Sequence, residues 1–96
     1  MIDIKIERSK KATIITANGH AMYNPGNDIV CSAVSCLMYT LIGYLANSDI
    51  ESQYNIDSGN AKVIINGNAE ECVKMITVGF LQLEKRYPKN VKVVLT

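Results

Sequence analysis

The sequence predicts an α+β fold. One domain spans residues 1–96, with elements in the order ββαββαβ, a mainly antiparallel sheet and two helices packed on one of its faces. Three observations carry that prediction. Short segments alternate apolar and polar residues, as half-buried strands do. Two longer segments repeat apolar residues at helical spacing. Glycine, asparagine and proline punctuate the junctions between them.

Residues 2–7 set Ile2, Ile4 and Ile6 on one side and Asp3, Lys5 and Glu7 on the other, a strand with one buried face. Arg8-Ser9-Lys10 reads as a turn. Residues 11–17, with Thr13, Ile14, Ile15 and Thr16, read as its antiparallel partner. From Asn18 to Asn27 the chain holds Gly19, Pro25 and Gly26, so neither a helix nor a long strand fits. Residues 22–26 are either a plain connection or a mobile lid. A helix then runs from about Asp28 to Leu45, capped by Asn27 or Asp28. Val30, Val34, Leu37, Leu41 and Leu45 make its apolar stripe, widened by Ala33, Met38 and Ile42. It carries almost no charge, so other elements or a second subunit should cover most of its circumference.

Residues 50–57 alternate again, with Ile50, Ser52, Tyr54 and Ile56 on one side. Ser58-Gly59-Asn60 supplies a turn, and Lys62 to Asn66 returns as the second arm of a hairpin with one packed and one wet face. Gly67-Asn68 opens a second helix, with Asn68 and Glu71 spaced as a capping box. Val73, Ile76, Phe80, Leu83 and Tyr87 form its buried stripe and Pro88 stops it. Val91, Val93 and Leu95 make the last strand.

Ten basic and nine acidic side chains leave a formal charge of +1, and no basic run exceeds Lys10-Lys11, so direct nucleic-acid binding is not expected. Met1 to Lys5 lacks the continuous apolar core of a signal peptide. The apolar region Val30–Leu45 is interrupted by Ser32, Ser35, Thr40 and Gly43, and is shorter than the roughly 20 residues of a membrane span. A cytoplasmic protein without a membrane partner is the expectation. Three cysteines, Cys31, Cys36 and Cys72, are an odd number, which favours reduced thiols over a disulfide framework. One histidine and scattered thiols lack the paired spacing of a zinc site, and no glycine pattern matches a phosphate or dinucleotide loop. Neither metal nor cofactor is expected.

The chemistry concentrates where the irregular stretch meets the first helix. Cys31 falls near the third position of that helix, where unpaired N–H groups and the helix field favour an ionised thiol. His20, the only histidine, is the one imidazole available as a general base. The duller readings are a buried, inert cysteine and an idle loop histidine. Asp28 can orient His20 or simply cap the helix, and the cap is favoured. The Cys31 N–H and its first-turn neighbours are candidates for an oxyanion site, and Gly19, Ala21, Gly26 and Ser32 are assigned to the candidate substrate-loop and oxyanion region. Ser35 reads as structural, and Cys36 and Cys72 as packing residues.

Gly19-His20-Ala21, followed by Gly26-x-Asp28-Ile29-Val30-Cys31-Ser32-Ala33-Val34-Ser35, resembles the ribosomal-processing cysteine protease family, Prp. The likeness extends to length and element order. It implies a homodimeric bacterial cysteine endopeptidase that removes an N-terminal extension from a large-subunit ribosomal protein. By position it implies Cys31 as nucleophile and His20 as general base, Asp28 at a recurrent acidic position, and Ala21 to Gly26 as a flexible substrate segment. Ser32 stands where the family more often has alanine. The rival reading is a non-catalytic module that binds a ribosomal protein or the ribosome surface.

Overall fold

A computed structural model describes residues 1–96. The elements are β1 (Ile2–Arg8), β2 (Thr13–Gly19), α1 (Ile29–Ala46), β3 (Ser52–Asp57), β4 (Asn60–Ile65), α2 (Glu70–Arg86) and β5 (Val91–Leu95). The order ββαββαβ is the one expected. The strands form one sheet in the order β3-β4-β2-β1-β5. Every pairing is antiparallel except that of β5 with β1, which puts Val91 beside Ile2.

Alternation in the strands dictates one apolar face. Ile2, Ile4, Ile6, Ile15, Ala17, Val63, Ile65 and Val91 are all buried on it. Both helices lie against this face. Val30, Val34, Met38, Leu41 and Leu45 of α1 recur at helical spacing and join the same core. By length and composition α1 would suit a membrane span, with mean hydropathy 1.9, yet this stripe is spent on the sheet. From α2 come Cys72, Val73, Ile76 and Phe80.

Several expectations need adjustment. Met38 is fully buried while Leu37 is only half-buried. Tyr54, expected on a packed face, is 63% exposed, because the sheet order leaves β3 at an edge that the helices barely reach. The capping box does not form. Ala69 is the cap residue of α2 and gives no side-chain bond, while the Asn68 carboxamide oxygen accepts from the Glu70 N–H at 3.2 Å. Cys36 is exposed rather than packed; Cys72 is buried.

Phe80 has no exposed surface, and its loss leaves a cavity at the α2–sheet contact. Phe80→Ala should cost about 3–5 kcal/mol in urea unfolding. Tyr54→Ala should stay within about 0.5 kcal/mol of the parent.

Candidate functional site

The site begins with a helix cap. Oδ1 of Asp28 accepts the N–H groups of Val30 (2.9 Å) and Cys31 (3.1 Å), which α1 leaves without intrahelical partners. Oδ2 accepts those of Tyr23 (2.9 Å) and Asn24 (3.2 Å) in the preceding loop. Desolvation acts to raise the pKa of this carboxyl, but the four donors more than offset it and hold the group below its ordinary 3.8. One carboxylate therefore ties the loop to the helix start. Asp28 is the cap, and its bonds all run to backbone amides rather than to His20.

With that register fixed, Cys31 faces back toward the end of β2. Its Sγ accepts the Ala21 N–H at 3.3 Å. Ala21 is 1% exposed, and both of its backbone polar atoms are used: the carbonyl oxygen accepts the Asn90 side-chain N–H at 2.8 Å. An N–H donor is thus aimed at the sulfur. Burial pushes the Cys72 thiol up from its ordinary range.

His20 is placed by two glycines. Gly19 ends β2 with φ +100, and a Cβ there would strike the Met1 carbonyl oxygen. Its N–H donates to the Gly59 carbonyl at 2.8 Å, which fixes the strand end against the β3–β4 turn. The imidazole lies over Gly59: a Cβ at that residue, whose φ is +78, would sit 2.9 Å from His20 Nε2. Only glycine fits both the turn and the ring.

His20 and Cys31 line one cleft of about 410 Å³. Its floor follows from the sheet register. Ala17 pairs with Ala61, and these two small side chains leave a hollow beneath Val34 and Met38 of α1. Gly19 and the turn residues Asp57, Ser58, Gly59 and Asn60 form the rim. Ser35, one helical turn beyond Cys31, also lines the cleft. Its position four residues after Cys31 was the available signal, since such pairs share a helix face. No group of three or more His, Cys, Asp or Glu side chains is arranged to hold a metal.

Three of the remaining site expectations meet a different arrangement. The first-turn amides are engaged, Val30 and Cys31 with the Asp28 carboxylate and Ser32 with the Asp28 carbonyl oxygen at 3.1 Å. Ser32 lies outside the cleft, and its hydroxyl donates to the same carbonyl at 3.1 Å. Gly26 is exposed in the loop, away from the cleft lining. The loop has a further attachment, the Tyr23 ring set edge-on to Tyr87 with centroids 5.3 Å apart. The β3–β4 turn, Tyr87 and Asn90 were not singled out for the site, because only the strand order and the α2–β5 turn bring them there.

The family model for cysteine protease Prp matches residues 1–92. Two Staphylococcus aureus structures of the essential ribosomal processing protease Prp superpose over the whole of both chains. The one with a covalently linked product peptide has a TM-score of 0.87 at 22% identity. The one with a substrate peptide has 0.83 at 20%. SMU.848 from Streptococcus mutans matches at 0.73 and 25%, over all of this chain and 94% of that one. No curated protein matches significantly.

Two outcomes follow from this geometry. The Asp28 pKa is depressed on folding, so its contribution is present above the unfolded value and is lost as pH falls through the folded one. The melting temperature should therefore drop as pH is lowered below about 4, the ordinary carboxylate range, and Asp28→Asn should flatten that part of the curve. Gly59→Ala should cost about 1–2 kcal/mol through its left-handed backbone, and should displace the His20 ring, visible as altered imidazole proton shifts.

Proposed function

Because the chain belongs to the cysteine protease Prp family, and so is a cysteine-type endopeptidase, we propose that it removes the N-terminal extension of a large-subunit ribosomal protein, with Cys31 as nucleophile and His20 as general base. The observation that carries this reading is that Cys31 and His20, from different elements, line one open cleft. An N–H donor already rests on the sulfur.

His20 takes the proton of the Cys31 thiol, and the resulting thiolate attacks the scissile carbonyl carbon to form the new C–S bond. The negative charge moves to the carbonyl oxygen. The Val30 and Cys31 amides are committed to the Asp28 carboxylate and are not free to receive it. The intermediate collapses, the C–N bond breaks and His20 protonates the departing amine. Water, deprotonated by the same imidazole, then releases the acyl group from sulfur. This sequence requires no cofactor.

The protein is proposed to work in the cytoplasm as a homodimer. Three free thiols suit a reducing compartment. Helix α1 carries no charged residue and exposes Ile29 and Tyr44 outside the cleft, a surface suited to a second copy.

Cys31→Ala should fold, bind the extension peptide and show no cleavage in a mass-spectrometric assay. Persistent cleavage would remove Cys31 from the nucleophile's role, and loss of neither binding nor cleavage would favour a different thiol. At pH 6, iodoacetamide should label Cys31 ahead of exposed Cys36, with buried Cys72 last, and His20→Ala should slow the first label.

A further inference from the structure

We propose that Asn90 is a positioning residue for the nucleophile: its side-chain amide holds the Ala21 peptide in the orientation that turns the Ala21 N–H onto the Cys31 sulfur. The proposal rests on the reading of Cys31 as the reactive thiol.

The geometry is a relay through one buried residue. Asn90 Nδ2 donates to the Ala21 carbonyl at 2.8 Å, across 69 residues of sequence. The Ala21 N–H then donates to Cys31 Sγ at 3.3 Å. The carbonyl and N–H of a residue belong to two successive peptide planes that meet at its Cα. Anchoring the carbonyl pins the Ala21 Cα that both planes share, and leaves only φ and ψ of that residue to set the direction of its N–H. Core packing holds the Ala21 methyl, but the backbone here lies outside the sheet ladder. Strand β2 ends at Gly19, and Met22, the next residue, has left the regular regions with φ 57. Without an outside contact, the Ala21 peptide can rotate and carry its N–H off the sulfur.

Asn90 is suited to supply that contact because its own backbone is tied on both sides. Its N–H donates to the Tyr87 carbonyl at 2.9 Å, and its carbonyl accepts the Ile2 N–H at 2.8 Å. The side chain thus extends from a turn clamped between α2 and β1. The same turn holds the loop a second time through the Tyr87–Tyr23 ring contact. Asp28 sets where the sulfur is; Asn90 sets where its donor is.

A donor on the sulfur stabilises the thiolate over the thiol, so removing it should move the pH at which the thiol becomes reactive. The experiment measures Cys31 alkylation by iodoacetamide from pH 5 to 10 in the full chain, with labelled sites resolved by mass spectrometry. In Asn90→Ala and the similarly sized Asn90→Leu, the midpoint for Cys31 should rise by about one pH unit and the rate at pH 6 should fall about tenfold, the effect of one charge-assisted hydrogen bond. Cys36 should keep its profile. A variant that only loses melting temperature, with the Cys31 midpoint unmoved, overturns the proposal. Should neither variant fold, the wild-type protein decides: the Asn90 side-chain amide protons must shift together with the Ala21 amide at the Cys31 midpoint, and Asn90 protons indifferent to it overturn the proposal. Alkylation needs no peptide. Persistent cleavage by Cys31→Ala would thus count against the proposed mechanism while leaving this measurement intact.

Discussion

Asp28 is the interaction on which the site depends. A carboxylate with four backbone donors, two from a loop and two from a helix, does more than end a helix. It makes the last residues of the loop and the first turn of α1 a single body. Were the cap a serine, one oxygen would satisfy the helix and the loop would be left to itself. The second oxygen joins them. That junction holds Cys31 in place at the start of α1, where its sulfur accepts the Ala21 N–H.

The arrangement also divides labour among the polar groups. The first-turn amides that the helix would offer to an anion are given to Asp28, and the sulfur receives an amide from outside the helix. His20 is held apart from both, by the fit of its ring over Gly59. The cap and the thiol thus sit at the start of α1, while His20 and the Ala21 donor are consecutive residues just after β2. The hollow they surround exists because two alanines, Ala17 and Ala61, face each other across β2 and β4 where larger residues would meet α1.

Much of this was legible in the residues. The isoleucines of β1 alternate without interruption, and Val30, Val34 and Leu41 mark the inner face of α1, so the layers follow from periodicity. Cys31 and His20 stood out because a helix start and a sole imidazole are local facts. What periodicity does not carry is which strands become neighbours. The pairing of β2 with β4 brings Gly59 to His20, and the α2–β5 turn brings Asn90 to Ala21; both are long-range meetings with no local signature. Ser32 and Ser35 were separable by helical angle, but the cleft had to be located before that angle had meaning. Cys36 was misread because α1 lacks charge on its exposed side, so composition there does not distinguish inside from outside.

The parallel pairing of β5 with β1 has a temporal consequence. It joins the earliest strand of the fold to the latest, and the turn just before β5 carries the contact to Ala21. During synthesis, Cys31 and His20 therefore emerge before the turn that carries Asn90, and the Ala21 carbonyl gains its side-chain partner only once β5 has docked beside β1.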